Sequence, residues 1–252
     1  MPDVEIRPQR YRDDRPPEYF HRFHVRARAH EPEARVYEVV RMITVLYALA
    51  AFRARAIGSE NVPAGPLILA PNHASFMDHF FAGAFIRRRV QFMAKSQLFA
   101  SGPPQWIFSH GGVFPVRRGS HDEEAFVTAA AVLRRGGTVG MYCEGGRSRT
   151  GAMADVAKPG IGRLALDSGA PIVPVAILGS HQVRNWKRLR FPKVIVRYGE
   201  PFRFDAIPDS SREQQQAVAD LVLARIRAMH DELAALGARG AMRAARRPPT
   251  FP

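Results

Sequence analysis

The chain has 252 residues, of which 46% are hydrophobic, and it contains one cysteine, Cys143. A chain of this length and composition can bury one sizeable core, so we expect one α/β domain with flanking tails. A single cysteine excludes an intrachain disulfide and suits a reducing cytoplasm.

The formal net charge is +14, and its distribution is uneven. Residues 1–35 carry eight Arg against seven Asp and Glu, while the last sixteen residues carry four Arg and no acid. The folded body is therefore basic, which favours polyanionic partners such as nucleic acid, anionic lipid headgroups or phosphorylated small molecules. Arg outnumbers Lys 33 to 4, so a bias in composition explains part of the charge equally well.

In chain order, residues 1–35 are rich in Arg, Pro and acids and are predicted to be mobile or loosely docked. The first forty residues lack an apolar core of the kind found in signal peptides. A helix is predicted over 36–55, and its apolar stretch 42–52 is too short to span a bilayer, which needs about twenty residues. We interpret it as a buried core helix, with a helix in the membrane interface as the alternative.

Short apolar runs then alternate with helical patterns as far as residue 236. This alternation predicts a mainly parallel central sheet flanked by helices on both faces. Strands are predicted at 67–70, 90–94, 138–143, 171–178 and 194–199, and helices at 76–87, 123–135, 160–167 and 211–236. Capping boxes are expected at two of these helices, from Ser120 with Glu123 and from Ser211 with Gln214. The tail 237–252 is basic and Pro-rich and is predicted to be frayed. In such sheets ligands bind at the carboxyl ends of the strands.

His73 and Asp78 follow the first of these strands, five positions apart. On one continuous helix that spacing is about 500°, so the two side chains would face different ways. Ser75 and Asp78 fit a capping box, which would place His73 in the loop before the helix, where it can fold back toward Asp78. Either Asp78 only caps the helix, or it orients an imidazole that acts as a general base.

Arginines follow two other apolar stretches. Arg117 and Arg118 come after an apolar run, and EGGRSR, residues 144–149, follows the strand at 138–143. Both stretches could be solvated surface, but guanidinium groups beside glycines also suit a phosphate carried by a small molecule. The spacing of a nucleotide-binding P-loop is absent.

Cys143 lies within a predicted strand beside Glu144, a neighbour that disfavours a thiolate, so we interpret it as an inert structural thiol. The nine histidines are scattered along the chain, and we predict no metal site.

Together these stretches resemble the glycerolipid acyltransferase family, typified by lysophosphatidic acid acyltransferases. The resemblance covers roughly residues 36–235. The family's NHxxxxD motif is matched by Asn72, His73 and Asp78, and its second motif by the segment from Gly112 to Arg118. Its FPEGTRS motif reads YCEGGRS at 142–148, and its apolar run around a proline is IVPV at 172–175. The segments at 94–98 and 158–160 are also similar to the family.

The resemblance implies an O-acyltransferase of the glycerol-3-phosphate acyltransferase-like fold, over residues 36–236. His73 would be the base and Asp78 its partner. The implied substrate-binding residues are Arg118, Glu144, Gly145, Arg147, Ser148 and Lys158, with Glu144 orienting Arg147 or the acceptor. The chain departs from the family motif at two positions, where Cys143 replaces the usual proline and Gly146 the usual threonine. These departures bear on the identity of the acceptor more than on the type of reaction.

The resemblance also implies substrates and a location. The donor would be acyl-CoA or acyl-carrier protein, with no further cofactor. The acceptor would be a phosphorylated glycerolipid, foremost 1-acylglycerol-3-phosphate giving phosphatidic acid, with glycerol-3-phosphate or a glycolipid as alternatives. We expect peripheral binding to an anionic membrane surface on its cytoplasmic face, through residues 42–52, 87–89 and 185–193.

Two alternative functions belong to other classes of protein. A lipid-phosphate-binding scaffold without catalysis would keep the fold, but the presence of both His73 and Asp78 argues against it. A nucleic-acid-binding protein would explain the charge, but no recognisable reading module is present. Acyl chain length, choice of donor, acceptor headgroup, oligomeric state and depth in the membrane are not specified by the sequence.

Overall fold

A computed structural model of the chain describes residues 13–118, 122–148, 151–183 and 191–244. Its centre is a seven-stranded sheet in the order β1-β7-β6-β2-β5-β3-β4. The strands are β1 (Arg55–Ile57), β2 (Leu67–Pro71), β3 (Val90–Lys95), β4 (Phe114–Val116), β5 (Thr138–Gly140), β6 (Ile172–Leu178) and β7 (Ile195–Tyr198). β6, β2, β5, β3 and β4 run parallel, and β7 pairs antiparallel with β6.

Helices cover both faces of this sheet. They are α1 (Pro17–Ala29), α2 (Ala34–Phe52), α3 (Asp78–Ala84), α4 (Pro103–His110), α5 (Glu123–Arg134), α6 (Gly160–Ser168), α7 (Arg212–Ala235) and α8 (Gly237–Ala244). Side chains alternate along β2, so Ile68 packs with α5, α6 and α7, while Leu69 packs with α2 and α3. The predicted α/β class, with a mainly parallel sheet between helical layers, is confirmed.

The boundaries of several elements differ from the prediction. β5 ends at Gly140 rather than at residue 143, and α3 is shorter than the predicted helix at 76–87. The short elements β1, α4 and β4 were not predicted. The capping box expected from Ser120 lies outside the described residues, and Asp122 precedes α5.

Within the N-terminal segment, which was expected to be mobile or loosely docked, α1 is a docked helix. Residues 1–12 lie outside the described residues. Phe20 and Phe23 are buried against Phe99. The guanidinium group of Arg135 donates to the carbonyls of Ala27, Arg28 and His30 at the end of the helix, at 2.9, 2.6 and 2.9 Å. Buried aromatic side chains and the bonds from Arg135 together dock a segment whose composition is otherwise polar.

The expectation that α2 is a core helix is wrong, because much of its apolar surface faces outward. Only Thr44, Ala48 and Phe52 are buried, and they lie on one narrow face. The exposed apolar residues are Val39, Met42, Ile43, Leu46, Tyr47 and Leu49. None of the helices in the described ranges combines the length and the hydropathy that a membrane crossing requires.

The C-terminal part contains two helices. α7 begins with the predicted capping box, in which Ser211 Oγ accepts from Gln214 N and Gln214 Oε1 accepts from Ser211 N. The expected frayed tail is wrong over 237–244, where α8 buries Ala241 and Met242 against Met229 and Leu233. Residues 245–252 lie outside the described residues.

Candidate active site

His73 and Asp78 meet at the carboxyl end of β2. His73 lies in the loop between β2 and α3, and its ring Nδ1 is 3.0 Å from Asp78 Oδ2. The same carboxylate oxygen accepts from the backbone N–H groups of Ala74 and Ser75, each at 2.6 Å. The predicted fold-back of His73 onto Asp78 is therefore confirmed.

The predicted capping box at this helix is only half formed. Asp78 accepts from Ser75 N, but Ser75 Oγ accepts from Met77 N at 3.2 Å instead of from Asp78 N. Met77 is consequently the cap, and α3 begins at Asp78 itself. The carboxylate then closes the loop that carries His73, instead of lying one turn inside a helix.

Asn72 fastens the same loop to the neighbouring strand. Its Nδ2 donates to Ile177 O at 3.1 Å, and its Oδ1 accepts from Ile177 N at 2.7 Å. These two bonds extend the pairing of β2 with β6 beyond the end of β2. The residue before His73 is thus held by the sheet.

The environment of His73 favours its neutral form. The side chain is 10% exposed. The pKa of His73 is lowered, chiefly because the ring is buried. The hydrogen bond and the negative charge of Asp78 raise it, while the positive charges of Arg147 and Arg118 lower it further. With Nδ1–H donating to Asp78, Nε2 carries the lone pair, so His73 is set up to accept a proton.

Glu144 holds the backbone around His73. Its Oε1 accepts from His73 N at 2.6 Å, and its Oε2 accepts from Ala154 N at 3.1 Å. Ser148 N donates to His73 O at 2.7 Å. Burial raises the pKa of Glu144, and the two backbone bonds counteract this. The structure has Glu144 joining two loops, and its role in orienting Arg147 or the acceptor stays a prediction.

Beside these loops lies a cleft of about 860 Å³. All of the predicted substrate-binding residues line it: Arg118, Glu144, Gly145, Arg147, Ser148 and Lys158. Gly145 has φ +66°, and a Cβ there would lie 2.6 Å from Lys158 Cγ, so glycine is needed for this approach. Another wall of the cleft is apolar and consists of Met93, Val116, Phe126, Met141 and Met153. The cleft therefore offers cationic and apolar surfaces together.

Sequence reasoning omitted two residues from the candidate site. Lys95 ends β3 at the same edge of the sheet. Its pKa is lowered chiefly by burial, and then by the positive charges of Arg147 and Arg118. Lys95 therefore lies near these two arginines. Its position at the end of a predicted strand was the available signal. The ring of Tyr142 stacks on His73 with the ring centroids 3.8 Å apart. Arg149 lies outside the described residues.

The remaining predictions concern Cys143 and metals. Cys143 is buried, and its pKa is raised to about 12, chiefly by burial, so it remains a thiol as the sequence suggested. Across the described residues, no group of three or more His, Cys, Asp or Glu could hold a metal ion. His21 and His24 instead contact Glu124 and Thr128 on α5.

Comparison with known proteins gives a family and a fold. A family model described as acyltransferase matches residues 53–178, half of the 252 residues. A solved structure, the 1-acyl-sn-glycerophosphate (LPA) acyltransferase PlsC from Thermotoga maritima, is 23% identical with a TM-score of 0.59 and covers 84% of this chain and 88% of that chain. At that identity the likeness shows the α/β fold.

Curated relatives carry related names. The chloroplastic 1-acyl-sn-glycerol-3-phosphate acyltransferase BAT2 of Brassica napus is 26% identical over 130 residues, 50% of this chain and 37% of that protein. A 1-acyl-sn-glycerol-3-phosphate acyltransferase of Cocos nucifera is 27% identical over 53% of this chain and 45% of its own length. One of Bacillus subtilis is 27% identical over 69% of this chain and 86% of its own length. The chain thus matches less than half of the plant relatives' length.

We expect Asp78→Asn to lower the pKa of His73 by about one to three units, because it removes the negative charge that faces the imidazole. An amide oxygen in place of Oδ2 can still accept the bonds from the loop. NMR titration of the His73 ring measures the shift. Asp78→Ala is the companion variant, since it should also lower the melting temperature by removing the acceptor of these bonds. An unchanged pKa of His73 in Asp78→Asn would contradict the pairing.

Proposed function

This chain belongs to the acyltransferase family, and on that premise we propose that it moves a fatty acyl chain from a thioester to a hydroxyl of a phosphate-bearing glycerolipid. The observation that carries the proposal is the 3.0 Å contact between His73 Nδ1 and Asp78 Oδ2, next to a cleft lined by Arg118 and Arg147. A base and a phosphate site adjoin each other there. The donor is the thioester of acyl-CoA or acyl-carrier protein.

The chemistry needs a base, because an alcohol is a poor nucleophile at neutral pH. His73 Nε2 takes the hydroxyl proton while the oxygen attacks the thioester carbonyl carbon. The tetrahedral intermediate collapses with cleavage of the C–S bond, and the imidazolium returns the proton to the departing sulfur. An ester and a free thiol result, and no side chain is acylated. The buried thiol of Cys143 has no role in these steps.

The cations of the cleft bind the acceptor's phosphate. Arg118 and Arg147 offer planar guanidinium groups suited to bidentate bonds with phosphate oxygens, and Lys158 adds a point charge. The apolar wall of the cleft accommodates a lipid part. A monoacylated acceptor, 1-acylglycerol-3-phosphate, uses both surfaces, and the names of the matched relatives support it. Phosphatidic acid would be the product.

The exposed apolar surface of α2 supports the proposed peripheral binding to a membrane. Leu46 is 61% exposed and Ile43 is 59% exposed, and Trp106 of α4 is 51% exposed. α2 packs on α3, which begins with Asp78, so a membrane under α2 would supply lipid close to the site. Of the basic residues expected at the membrane, Arg88 instead donates to Pro63 O and Gly136 O at 2.7 and 2.8 Å. Residues 185–190 lie outside the described residues.

His73→Gln should lower acyl transfer by at least about 100-fold, because the amide cannot take the proton. The assay presents one acyl-CoA with glycerol-3-phosphate, 1-acylglycerol-3-phosphate or a glycolipid, and it reads free thiol and lipid mass. The circular dichroism spectrum and the melting temperature show that the variant is folded. Full turnover by the folded variant would refute the proposed role of His73, and absence of turnover by the unaltered protein with every acceptor would favour a lipid-binding scaffold.

Arg147→Ala should raise the KM for a phosphorylated acceptor about tenfold or more and leave the KM for the donor nearly unchanged, because a charge-assisted hydrogen bond to phosphate is lost. Arg134→Ala is the matched control, since Arg134 is an exposed arginine at the end of α5 that adjoins the amino ends of the strands. Initial rates at varied acceptor and donor give both constants. An acceptor KM equal to that of the control would count against this phosphate site.

Leu46→Glu should lower binding to vesicles about tenfold or more, because a charge replaces apolar surface that would otherwise be buried in lipid. Sedimentation with vesicles made with and without anionic lipid measures the bound fraction. Leu221→Glu provides the control, since Leu221 of α7 is also largely exposed, at 49%. Equal binding by both variants would show that α2 does not face the membrane.

A further inference from the structure

A stack of aromatic rings adjoins His73. Tyr142 comes two residues after β5, and its ring lies 3.8 Å from the imidazole between centroids, with 18° between the planes. The ring of Phe92 on β3 lies 6.0 Å from that of Tyr142, at 26°. β5 lies between β2 and β3 in the sheet, so the ring of Tyr142 lies between the rings of His73 and Phe92.

The sheet is adapted to hold this stack. A Cβ at Gly140 would lie 2.4 Å from Phe92 Cδ1, so only glycine at the end of β5 leaves room for the Phe92 ring. Phe92 is itself 5% exposed within the core. Tyr142 is therefore supported by a rigid strand and not by a loop alone.

The surroundings of His73 disfavour protonation of its imidazole. The groups that face it from the surrounding elements are Asp78, His79, Arg118, Tyr142, Glu144 and Arg147. Asp78 supplies the negative charge at Nδ1, while the carboxylate of Glu144 is held by backbone N–H groups. The positive charges of Arg118 and Arg147 destabilise a protonated imidazole, and burial removes the stabilisation that water would give to its charge. The protonated ring needs a further source of stabilisation.

We propose that Tyr142 is a positioning residue for His73. The face of its ring fixes the plane of the His73 imidazole and stabilises the imidazolium that forms during proton transfer. The inference rests on the proposed function, since it concerns the same base. An aromatic face attracts a cation through its quadrupole, and the attraction is larger where water is excluded. The 3.8 Å separation puts the imidazole directly against that face.

The face of the ring, not the hydroxyl, carries this role. Within the described part of the chain, the buried hydroxyl of Tyr142 has no hydrogen-bond partner. Burial, then Asp78, raises the pKa of Tyr142 well above its ordinary value, so the ring stays neutral. The family motif quoted above usually has Phe at this position, which would offer the same face.

The test compares Tyr142→Phe with Tyr142→Leu, using NMR titration of the His73 ring and the pH dependence of acyl transfer. Tyr142→Phe keeps the face, so the pKa of His73 and kcat should stay close to those of the unaltered protein. Its melting temperature should not fall, since only an unpaired hydroxyl is removed. Tyr142→Leu should lower the pKa of His73 by about half a unit to one unit.

The lower pKa in Tyr142→Leu would move the acid limb of the pH profile to lower pH, because His73 would lose its proton at lower pH. As His73 becomes a weaker base, kcat should fall about two- to tenfold while the acceptor KM stays the same. Phe204→Leu is the control, since it makes the same kind of change in a ring that packs edge-to-face against Phe202, with the centroids 5.8 Å apart. If Tyr142→Leu fails to fold, Tyr142→Met provides the same comparison with a longer side chain.

An unchanged or higher pKa of His73 in a folded Tyr142→Leu or Tyr142→Met protein would overturn the inference. So would equal loss of activity in Tyr142→Phe, since the hydroxyl would then be the active part. If the unaltered protein transfers no acyl group, the proposed function fails, and the NMR titration still decides whether the ring stabilises the imidazolium.

Discussion

One oxygen of the buried Asp78 carboxylate organises the site. Oδ2 accepts from the His73 ring and from two successive backbone N–H groups, so the loop and the imidazole share a single acceptor. A carboxylate with no exposed surface is stable only when such bonds replace water. The arrangement therefore links the folding of the loop to the basicity of His73, and a change in the carboxylate alters both together.

The parallel sheet explains why distant segments meet around that acceptor. β2, β5, β3 and β4 are neighbours, and their carboxyl ends deliver His73, Glu144, Lys95 and Arg118 to one edge. Side chains then join the loops, as when Glu144 bonds to the backbone at both His73 and Ala154. A base in the loop after β2, its counter-charge at the start of α3 and cations in the loops after β4 and β5 can thus meet at one edge of a rigid sheet although no two of them share an element.

Burial also decides what each titratable group does. It lowers the pKa of His73 and Lys95 and raises that of Cys143 and Glu144, so the base is neutral and the thiol unreactive. These shifts come from surroundings assembled by four different loops. They support proton transfer through the imidazole and disfavour covalent catalysis by the cysteine.

Local patterns in the sequence determined five of the seven strands, five of the eight helices, the loop position of His73 and the capping box of α7 in the described part of the chain, because these depend on residues a few positions apart. Together with the family resemblance, they also identified the charged lining of the cleft, since residues that follow parallel strands share one edge. The docking of α1, the exposure of α2 and the partners of Glu144 were decided only by tertiary structure. So was the stacking of Tyr142 on His73, which joins residues almost seventy positions apart. The physical reason is that burial depends on which surfaces the assembled sheet leaves uncovered, and hydrophobic periodicity alone does not record that.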